Sequence, residues 1–390
     1  MQFSERISRI SVSSTAAVLI KAEKLKASGV NLVDFGAGEP DFPTPENIKR
    51  AAVEALRQNF TKYTATGGTR ELKQAIVDRH RLDLGSDYAT DECLVTVGGK
   101  HAIFEAVAAS INAGDEVILP VPYWVSFLDI VNYAGGKAVL LETREDENFA
   151  VRAAAVEALV TPKTRMIIIN SPSNPAGAVV ADEEMEKILA LAAKRQMVVM
   201  SDETYCHFIY DSRKPFSLGA SKNRENLILI GSLSKTYAMT GWRVGYALSS
   251  QKLIANMLKL QSHSTSNPTS FAQRGAVEAL RGPQDSVQVM LGEYRRRRDR
   301  IVAGLRAIPG IRCVNPEGAF YVYPNVSSYL KKDGLADTTV LAEKLLDEAH
   351  VAVVPGPAFG THNHVRLSYA TSLEMIDEGL RRLKDFFAKH

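Results

Sequence analysis

Several polar residues that are able to do chemistry follow the ends of short apolar runs in this sequence. They are Gly99 and Lys100, then Asn174, then Asp202 and Tyr205, and finally Ser232, Ser234 and Lys235. If the runs are parallel strands, these residues meet at one edge, because such sheets bind ligands beyond the carboxyl ends of their strands. Amine, carboxylate and hydroxyl groups beside a glycine-rich turn predict a site for a phosphorylated ligand with a reactive lysine.

The turn at Gly98-Gly99 and the segment Ser232–Lys235 are the two candidate phosphate contacts. A strand, two glycines and a helix start expose N–H groups to an anion, and the helix dipole favours negative charge there. The hydroxyls of Ser232 and Ser234, together with Arg243, would contact the phosphate from its other side. A cationic neighbourhood lowers the pKa of a lysine, so Lys235 would be a usable nucleophile and later a general base. Taken alone, the glycines could form an ordinary turn, and the lysine could lie on the surface.

Two further charged residues adjoin apolar strands. Asp202 follows Met197–Ser201, where a carboxylate could cap the next segment or pair with a buried cation. It would suit the ring nitrogen of pyridoxal phosphate, because a protonated nitrogen lets the ring act as an electron sink. Arg366 lies within His364–Tyr369, where a charge is costly unless it is paired. It could form a structural salt bridge or bind a substrate carboxylate with two parallel hydrogen bonds.

Short apolar runs alternate with longer amphipathic segments from about residue 90 onward. The predicted strands are Cys93–Val97, Glu116–Pro120, Ala138–Leu141, Arg165–Asn170, Met197–Ser201 and Leu227–Gly231. The predicted helices are His101–Ile111, Val125–Tyr133, Ala153–Val160 and Asp182–Arg195, followed by a largely helical segment 251–280. This alternation is typical of a mostly parallel sheet covered on both faces. The predicted fold is α/β, with a large domain whose mostly parallel sheet is sandwiched by helices.

A smaller α/β domain is predicted after Arg281-Gly282-Pro283, where the composition changes. It is expected to contain a long basic helix from near Ser286, a helix near Thr338–His350, and strands at Ile311–Val314, Ala319–Pro324, Ala352–Val354 and His364–Tyr369. The proline-rich segment 39–45 is expected to be a loop or hinge, since proline disfavours both helix and sheet. The expected division is an N-terminal segment 1–45 that joins the small domain, a large cofactor-binding domain 46–284, and a small domain 285–390.

Length and charge limit the classes of function. A chain of 390 residues is too long for one compact core, and a net charge of +3 is too small to indicate a nucleic-acid partner. The basic run 295–300 is expected to be a solvated helix face, with a polyanion site as the alternative. Three widely spaced cysteines predict free thiols, and no metal site is expected. No signal-like or membrane-spanning run is apparent, so a cytoplasmic protein is expected.

An ordered series of motifs gives the chain a resemblance to a known family. The motifs are Gly36–Phe42, Lys62–Thr64, Val97–Lys100, Pro122–Trp124, Asn170–Pro175, Asp202–Tyr205, Ser232–Lys235 with Gly241–Gly245, and Arg366–Tyr369. Over nearly its whole length the chain resembles the fold-type I, class I/II pyridoxal-phosphate aminotransferases, the aspartate aminotransferase group. The resemblance implies transfer of an amino group from an amino acid to a 2-oxo acid.

The resemblance also implies a role for each matching residue. Lys235 is expected to form the Schiff base with pyridoxal phosphate and to move the proton in the reaction. Asp202 is expected to pair with the ring nitrogen, Trp124 to stack on the ring, and Tyr205 and Asn174 to donate to the phenolic oxygen. The residues expected to hold the phosphate are Gly99, Lys100, Ser232, Ser234 and Arg243, with Tyr63 reaching across a homodimer interface.

The substrate contacts are implied in the same way. Arg366 is expected to bind the α-carboxylate, helped by Asn174, by the backbone of Gly38 and by Trp124 above the cofactor. Many dicarboxylate-specific relatives use an arginine of the partner subunit for the distal carboxylate, but segment 261–266 contains no arginine.

Lys100 resembles a lysine that serves the distal carboxylate in a prokaryotic subgroup. Thr15 matches a second contact, and His263 or Ser264 would add a third. Aspartate and 2-oxoglutarate are therefore the expected substrates, while prephenate or aromatic amino acids stay open.

Two positions depart from the family pattern. Ala176 follows Asn174-Pro175 where threonine or serine is common, and Thr204 stands where an aliphatic residue is usual. Because neither position carries a proposed catalytic atom, both departures are expected to affect local packing rather than chemistry.

Three other interpretations explain part of the sequence. A β-lyase or synthase on the same scaffold would keep Lys235, Asp202 and Arg366 and differ in how the carbanion is protonated. A nicotinamide oxidoreductase is disfavoured, because Asp41 occupies the place of the third glycine in a fingerprint that starts at Gly36, and Pro43 then blocks a helix. A ligand-sensing regulator would need a fused DNA-binding module, for which the sequence offers no spare length.

Overall fold

The computed structural model describes residues 3–11, 14–211, 213–331 and 334–390, without the side chains of residues 14–19 and 26. Its helices are α1 (Glu5–Ser8), α2 (Ser14–Ala27), α3 (Glu46–Arg57), α4 (Arg70–Leu84), α5 (Gly99–Ser110), α6 (Val125–Ala134), α7 (Ala153–Leu159), α8 (Asp182–Arg195), α9 (Leu233–Thr236), α10 (Gln251–Ser262), α11 (Ser270–Arg281), α12 (Asp285–Arg306), α13 (Thr338–Glu348) and α14 (Leu373–Phe387). Its strands are β1 (Val33–Asp34), β2 (Cys93–Thr96), β3 (Glu116–Val121), β4 (Lys137–Glu142), β5 (Thr164–Asn170), β6 (Val198–Asp202), β7 (Leu227–Ser232), β8 (Gly245–Ser249), β9 (Tyr321–Val322), β10 (Val351–Ala352), β11 (Val354–Pro355) and β12 (Val365–Ser368). The predicted α/β class is confirmed.

The central sheet has seven strands in the order β2-β8-β7-β6-β5-β3-β4. Its neighbours run parallel except β8, which is antiparallel to both β2 and β7. The register pairs Asn170 with Asp202, so strands β5 and β6 end side by side. The mostly parallel sheet predicted from the sequence is therefore confirmed.

Helices cover both faces of this sheet, because successive residues of a strand point to opposite sides. In β5, Ile167 packs in the apolar cluster that includes Ile188 of α8. The next residue, Ile168, packs in a different cluster with Ile103 of α5. Strands that are apolar on both faces are buried between two helical layers, which leaves only their ends open to a ligand.

Two smaller sheets lie outside the central one. Strand β1 pairs in parallel with β10 through Val33 and Val351, and β12 lies between β11 and β9 in an antiparallel sheet. An N-terminal strand is thus joined to the C-terminal part of the chain. The aromatic residues Tyr294 and Phe320 are fully buried in the apolar cluster next to these strands. The domain boundaries 1–45, 46–284 and 285–390 stay a prediction.

Some predicted elements are wrong or absent. Segment Ile311–Val314 does not form a strand and contributes only the isolated bridge between Arg312 and Asn325. The segment 251–280 is largely helical, as predicted, and consists of α10 and α11 separated by residues 263–269, which include Pro268. Strand β8 was not predicted, although it completes the sheet between β2 and β7.

The basic run on α12 is largely engaged in ion pairs. Arg297 is 5% exposed and pairs with Asp41 at 2.7 Å and with Glu293 at 3.1 Å. Arg300 pairs with Asp377 at 2.5 Å. These contacts tie the helix to its surroundings and favour a structural role over a polyanion site. Among the helices of the described residues, none has the length and apolar character that crossing a bilayer requires.

Candidate active site

A cavity of about 350 Å³ opens at the carboxyl ends of strands β2, β5, β6 and β7. The predicted site residues that line it are Gly38, Gly99, Lys100, Trp124, Asn174, Asp202, Tyr205, Ser232, Ser234, Lys235, Arg243 and Arg366. Tyr63 does not line it and is 91% exposed. Thr15 lies on α2, but its side chain is outside the described part of the chain. The structure thus brings together the strand-end residues, and Arg366 with them.

Lys235 lies on α9, the single turn that follows β7 directly. Its Nζ donates a hydrogen bond to the carbonyl of Gly38 at 2.5 Å and lies 5.8 Å from the centre of the Phe320 ring. Burial and the charges of Arg366, Arg243 and Lys100 lower the pKa of the Lys235 amine to about 8, against the opposing effect of Glu39. An amine with this pKa is partly unprotonated near neutral pH, which suits a nucleophile and base.

Asp202 is the last residue of β6 and is 5% exposed. Its Oδ1 accepts hydrogen bonds from the amide and the hydroxyl of Thr204, at 3.1 Å and 2.7 Å. Burial raises the pKa of the Asp202 carboxyl to about 6, while these bonds and the charge of Lys235 act in the opposite direction. The carboxyl thus caps the turn that follows β6 and also lines the cavity, where a cationic group could pair with it.

The anion seat is formed by the start of α5 and Arg243. Gly98 has φ +84°, and a Cβ built there would lie 2.3 Å from Nη2 of Arg243, so both the turn and the arginine require glycine. Arg243 is held by the carbonyl of Thr240, which accepts from Nη1 at 2.9 Å. Ser232 lies beside the start of α5, since a Cβ built on Gly99 would lie 3.3 Å from its Cβ, and its Oγ accepts from the Ser234 amide at 3.1 Å. Amides, hydroxyls and a guanidinium are the donors that a phosphate prefers.

Arg366 on β12 is 4% exposed and lines the cavity. Its Nη1 donates to Oδ1 of Asn174 at 3.1 Å, and its Nη2 donates to the carbonyl of Gly36 at 2.8 Å. Its guanidinium lies 4.6 Å from the centre of the Tyr321 ring. Within the described residues no carboxylate forms an ion pair with it, so the structural salt bridge is not seen. A buried, unpaired guanidinium beside a cavity suits an incoming carboxylate.

Lys100 and Trp124 form the outer wall of the cavity. The Lys100 Nζ lies 4.9 Å from the centre of the Trp124 ring, a cation–π contact. Burial and the nearby charge of Arg243 lower the pKa of this lysine. Lys100 therefore lies between the anion seat and the opening of the cavity, where either a phosphate or a substrate group could reach it.

Three residues of the site were missed as functional residues from the sequence. Tyr321 on β9 lines the cavity, and its hydroxyl lies 2.9 Å from that of Tyr205. Asn170 joins the ends of two strands: its Oδ1 accepts from the Asn174 amide at 2.8 Å and its Nδ2 donates to the Asp202 carbonyl at 3.1 Å. Thr204 contacts Asp202 as described above. Asn170 and Thr204 lie within recognised motifs, but no sequence signal distinguishes Tyr321 from other buried tyrosines.

The buried position of Tyr205 is consistent with the hydrogen bond between the Tyr205 and Tyr321 hydroxyls. Burial and the neighbouring Tyr321 raise the pKa of the Tyr205 phenol well above its ordinary value. Both phenols therefore stay protonated; one O–H makes the bond between the two hydroxyls, and the other is left to donate into the cavity. Together the cavity offers an amine, a buried carboxyl, a phenol donor, an anion seat and a second guanidinium.

Comparisons with known proteins agree with this geometry. Residues 30–383 match the family described as aminotransferase class I and II. An aspartate aminotransferase of Bacillus sp. (strain YM-2) is 43% identical over 98% of both chains. A probable aspartate/prephenate aminotransferase of Rickettsia felis is 43% identical, over 98% of this chain and 95% of the relative. The solved structure of an aspartate aminotransferase from Thermus thermophilus with maleate is 40% identical over 99% of both chains, with a TM-score of 0.93.

These matches extend over almost the whole chain. The resemblance stated from the motifs is confirmed. The protein belongs to the class I and II aminotransferase family.

Proposed function

We propose that this aminotransferase uses pyridoxal phosphate to move the α-amino group of aspartate to a 2-oxo acid such as 2-oxoglutarate. The observation that carries the proposal is the position of Lys235 in one cavity with Asp202 on one side and Arg366 on the other. The three groups fit a base, a partner for a ring nitrogen and a carboxylate receptor. Relatives named aspartate aminotransferase support the choice of amino donor.

The cavity residues fit the cofactor. Asp202 is a buried carboxyl with a raised pKa, which matches a cationic ring nitrogen. The start of α5 with Arg243 matches a phosphate, and Trp124 offers a flat face for a ring. Bound there, pyridoxal phosphate would supply a conjugated ring that takes up the electron pair left at the substrate carbon.

The residues of the chain supply binding and proton transfer. Lys235 Nζ has a pKa lowered to about 8, so it can take the α-proton of the substrate when the amine is free. Arg366 binds the α-carboxylate with its buried guanidinium and thereby fixes the direction of the Cα–H bond toward the amine. Asn174 and the Gly36 carbonyl hold that guanidinium in place. Orientation of this kind is a major source of rate acceleration.

The distal carboxylate of aspartate is assigned to Lys100, with Thr15 as a second contact. The Lys100 Nζ lies 4.9 Å from the centre of the Trp124 ring, and both residues line the cavity that also contains Arg366. Two cationic groups in one cavity suit a substrate with two carboxylates. The Thermus thermophilus relative was solved with maleate, a dicarboxylate, which supports a dicarboxylate as the ligand class.

Prephenate is the second candidate substrate. It is favoured by the relatives named aspartate/prephenate aminotransferase, such as that of Rickettsia felis. Prephenate also carries a carboxylate remote from its reacting end, which the same Lys100 could bind. The cavity wall includes Trp124 and Tyr321, which offer apolar surface to a ring.

A cytoplasmic homodimer is the proposed working form. Tyr63 is 91% exposed on the single chain, although it matches a tyrosine that reaches the phosphate from a partner subunit. A second cavity of about 520 Å³ adjoins the site and shares Lys100 and Arg243 with it. Apolar side chains such as Phe104 and Ile130 line that cavity, and a partner subunit would cover them.

The direct test is a panel of amino donors with 2-oxoglutarate on the purified protein, followed by its visible spectrum and by product analysis. We expect cofactor absorbance and fast turnover of aspartate to oxaloacetate, with prephenate tested as amino acceptor. The variant Lys235→Ala should bind the cofactor without turnover. Absence of cofactor absorbance in the wild type, or normal transamination by the variant, would overturn the proposal.

A further inference from the structure

The two carboxylate oxygens of Asp202 differ in their surroundings. Oδ1 accepts both the amide and the hydroxyl of Thr204, at 3.1 Å and 2.7 Å. No hydrogen bond to Oδ2 is seen from the residues that the structure describes, and Asp202 lines the cavity. The Asp202 carboxyl is therefore held at Oδ1 by Thr204, while Oδ2 is left open toward the cavity.

The hydroxyl contact depends on the side chain at position 204, whereas the amide contact does not. A threonine has few χ1 rotamers, so its Oγ1 is held in direction once the backbone is set. Thr204 is also close to the start of α5, since a Cβ built on Gly99 would lie 3.7 Å from its Oγ1. The hydroxyl thus lies between the carboxyl and the anion seat.

We propose that Thr204 is a positioning residue for the cofactor: its hydroxyl turns Oδ2 of Asp202 toward the ring nitrogen and keeps that carboxyl ionised. The inference rests on the proposed function, because it assigns Thr204 to the same pyridoxal-phosphate site. It also gives a chemical role to a position where the family usually has an aliphatic residue.

The physical reason is a competition for one proton. A ring nitrogen and a carboxylate in contact share a proton, which stays on the more basic atom. A hydrogen bond donated to the carboxylate makes it less basic, so the proton stays on the nitrogen. Burial acts in the opposite direction and raises the pKa of Asp202 to about 6. The Thr204 hydroxyl offsets part of the effect of burial.

Other titratable groups around Asp202 are Lys235, Glu203 and Tyr205. The charge of Lys235 lowers the pKa of the Asp202 carboxyl, but this contribution falls when the amine is neutral. Glu203 and Tyr205 interact with Asp202 electrostatically, and burial raises the pKa of each of them. Tyr205 therefore stays uncharged, and Glu203 is only partly ionised near neutral pH. Among the side chains that the structure describes, Thr204 is the one that donates a hydrogen bond to the Asp202 carboxyl.

The test compares Thr204→Val, which removes the hydroxyl and keeps the shape, with Thr204→Ser, which keeps the hydroxyl. Each holoenzyme is loaded with pyridoxal phosphate labelled with ¹⁵N in its ring, and the ¹⁵N chemical shift reports where the proton lies. We expect the resonance of Thr204→Val to move toward the neutral-ring position and kcat to fall about tenfold. Thr204→Ser should match the wild type in both measurements.

Several outcomes would overturn the inference. If Thr204→Val leaves the ¹⁵N resonance unchanged and only raises the dissociation constant of the cofactor, Thr204 would serve the phosphate instead of the ring nitrogen. Equal effects of the serine and valine variants would show that the hydroxyl is not responsible. Thr204→Ala provides a second variant without the hydroxyl if the valine variant does not fold. A wild-type protein that binds no pyridoxal phosphate would overturn the proposed function as well, which separates the two failures.

Discussion

The side-chain amine of Lys235 donates a hydrogen bond to the main-chain carbonyl of Gly38 at 2.5 Å. The acceptor is neutral, so the contact gives the ammonium form less support than a carboxylate would. Glu39, the next residue, counteracts burial only in part. The lysine is thus held in place without being locked in its charged state.

The first prediction concerns the pH dependence of Lys235 in the cofactor-free protein. With its pKa lowered to about 8, roughly a tenth of the amine is unprotonated at pH 7, far more than for a free lysine. Competitive labelling with acetic anhydride, followed by peptide mass spectrometry, should show reactivity that rises through pH 8. Free lysine amide in the same tube is the control. A Lys235 profile that follows this reference would contradict the prediction.

The second prediction concerns the guanidinium group of Arg366. Arg366→Lys keeps the charge but loses the two parallel N–H groups, so kcat/KM should fall about 100-fold or more for all amino donors. Cofactor binding should change much less than kcat/KM, because Arg366 does not contact the anion seat and reaches the cofactor only through Asn174. Steady-state kinetics with several donors and a cofactor titration check both parts. A fall in kcat/KM with aspartate alone would indicate that Arg366 binds the distal carboxylate instead.

The third prediction concerns Lys100. Lys100→Ser should raise KM for aspartate far more than KM for alanine, because alanine has no distal carboxylate. A change of about tenfold is expected for aspartate, since a hydrogen-bonded charge contact at a partly open site is worth between one and three kcal/mol. Because Lys100 lies near Arg243, the cofactor dissociation constant must be measured in parallel. An equal rise in KM for the two amino acids would remove Lys100 from substrate recognition.

The fourth prediction tests whether Tyr63 serves the site of a partner subunit. Tyr63→Ala should weaken cofactor binding about tenfold, because the proposed contact with the phosphate in the partner's site is lost. The fold of each subunit should be undisturbed, because the side chain is 91% exposed on the single chain. Heterodimers of Tyr63→Ala with Lys235→Ala, purified with two tags, would contain one site with both native residues. These heterodimers should be active at cofactor concentrations where each homodimer is nearly inactive. No gain in the heterodimer would place Tyr63 outside the site.

The fifth prediction concerns the ion pair between the proline-rich loop and α12. The Arg297 side chain is 7% exposed and its Nη1 lies 2.7 Å from Asp41, so Arg297→Leu leaves a partly buried carboxylate without its partner. The free energy of unfolding should fall by about 2 kcal/mol. The matched control is Arg300→Leu, whose partner Asp377 is half exposed, and which should cost less than about 1 kcal/mol. Equal decreases in the free energy of unfolding for the two variants, measured by urea denaturation, would contradict this ranking.

Much of the site was predictable because the sheet is mostly parallel. Apolar runs ending in Asn170, Asp202 and Ser232 mark the same edge, and the register places the first two side by side. Once that edge is known, polar residues after each run converge without further information. This is why the lysine, the carboxyl and the anion seat could be found from the order of residues alone.

What was missed depends on long-range geometry. Strand β8 is antiparallel and follows the short turn Thr240–Trp242 rather than a helix, so its short apolar run does not fit the alternation of strands and helices. Tyr321 is one of several buried tyrosines, and only its register on β9 turns it toward Tyr205. The role of Thr204 depends on a 2.7 Å contact with Asp202. No local pattern reports a contact of that kind.

The hydrogen bonds that hold Arg366 have a thermodynamic consequence. Both Nη atoms are engaged, with Asn174 and with the Gly36 carbonyl, and the guanidinium is covered by the ring of Tyr321. The side chain has therefore lost most of its rotameric freedom during folding, and a carboxylate that binds it does not have to order it again. Calorimetry of substrate analogues should then show a favourable enthalpy with a small entropic penalty from the protein, because the receptor is already in its bound conformation.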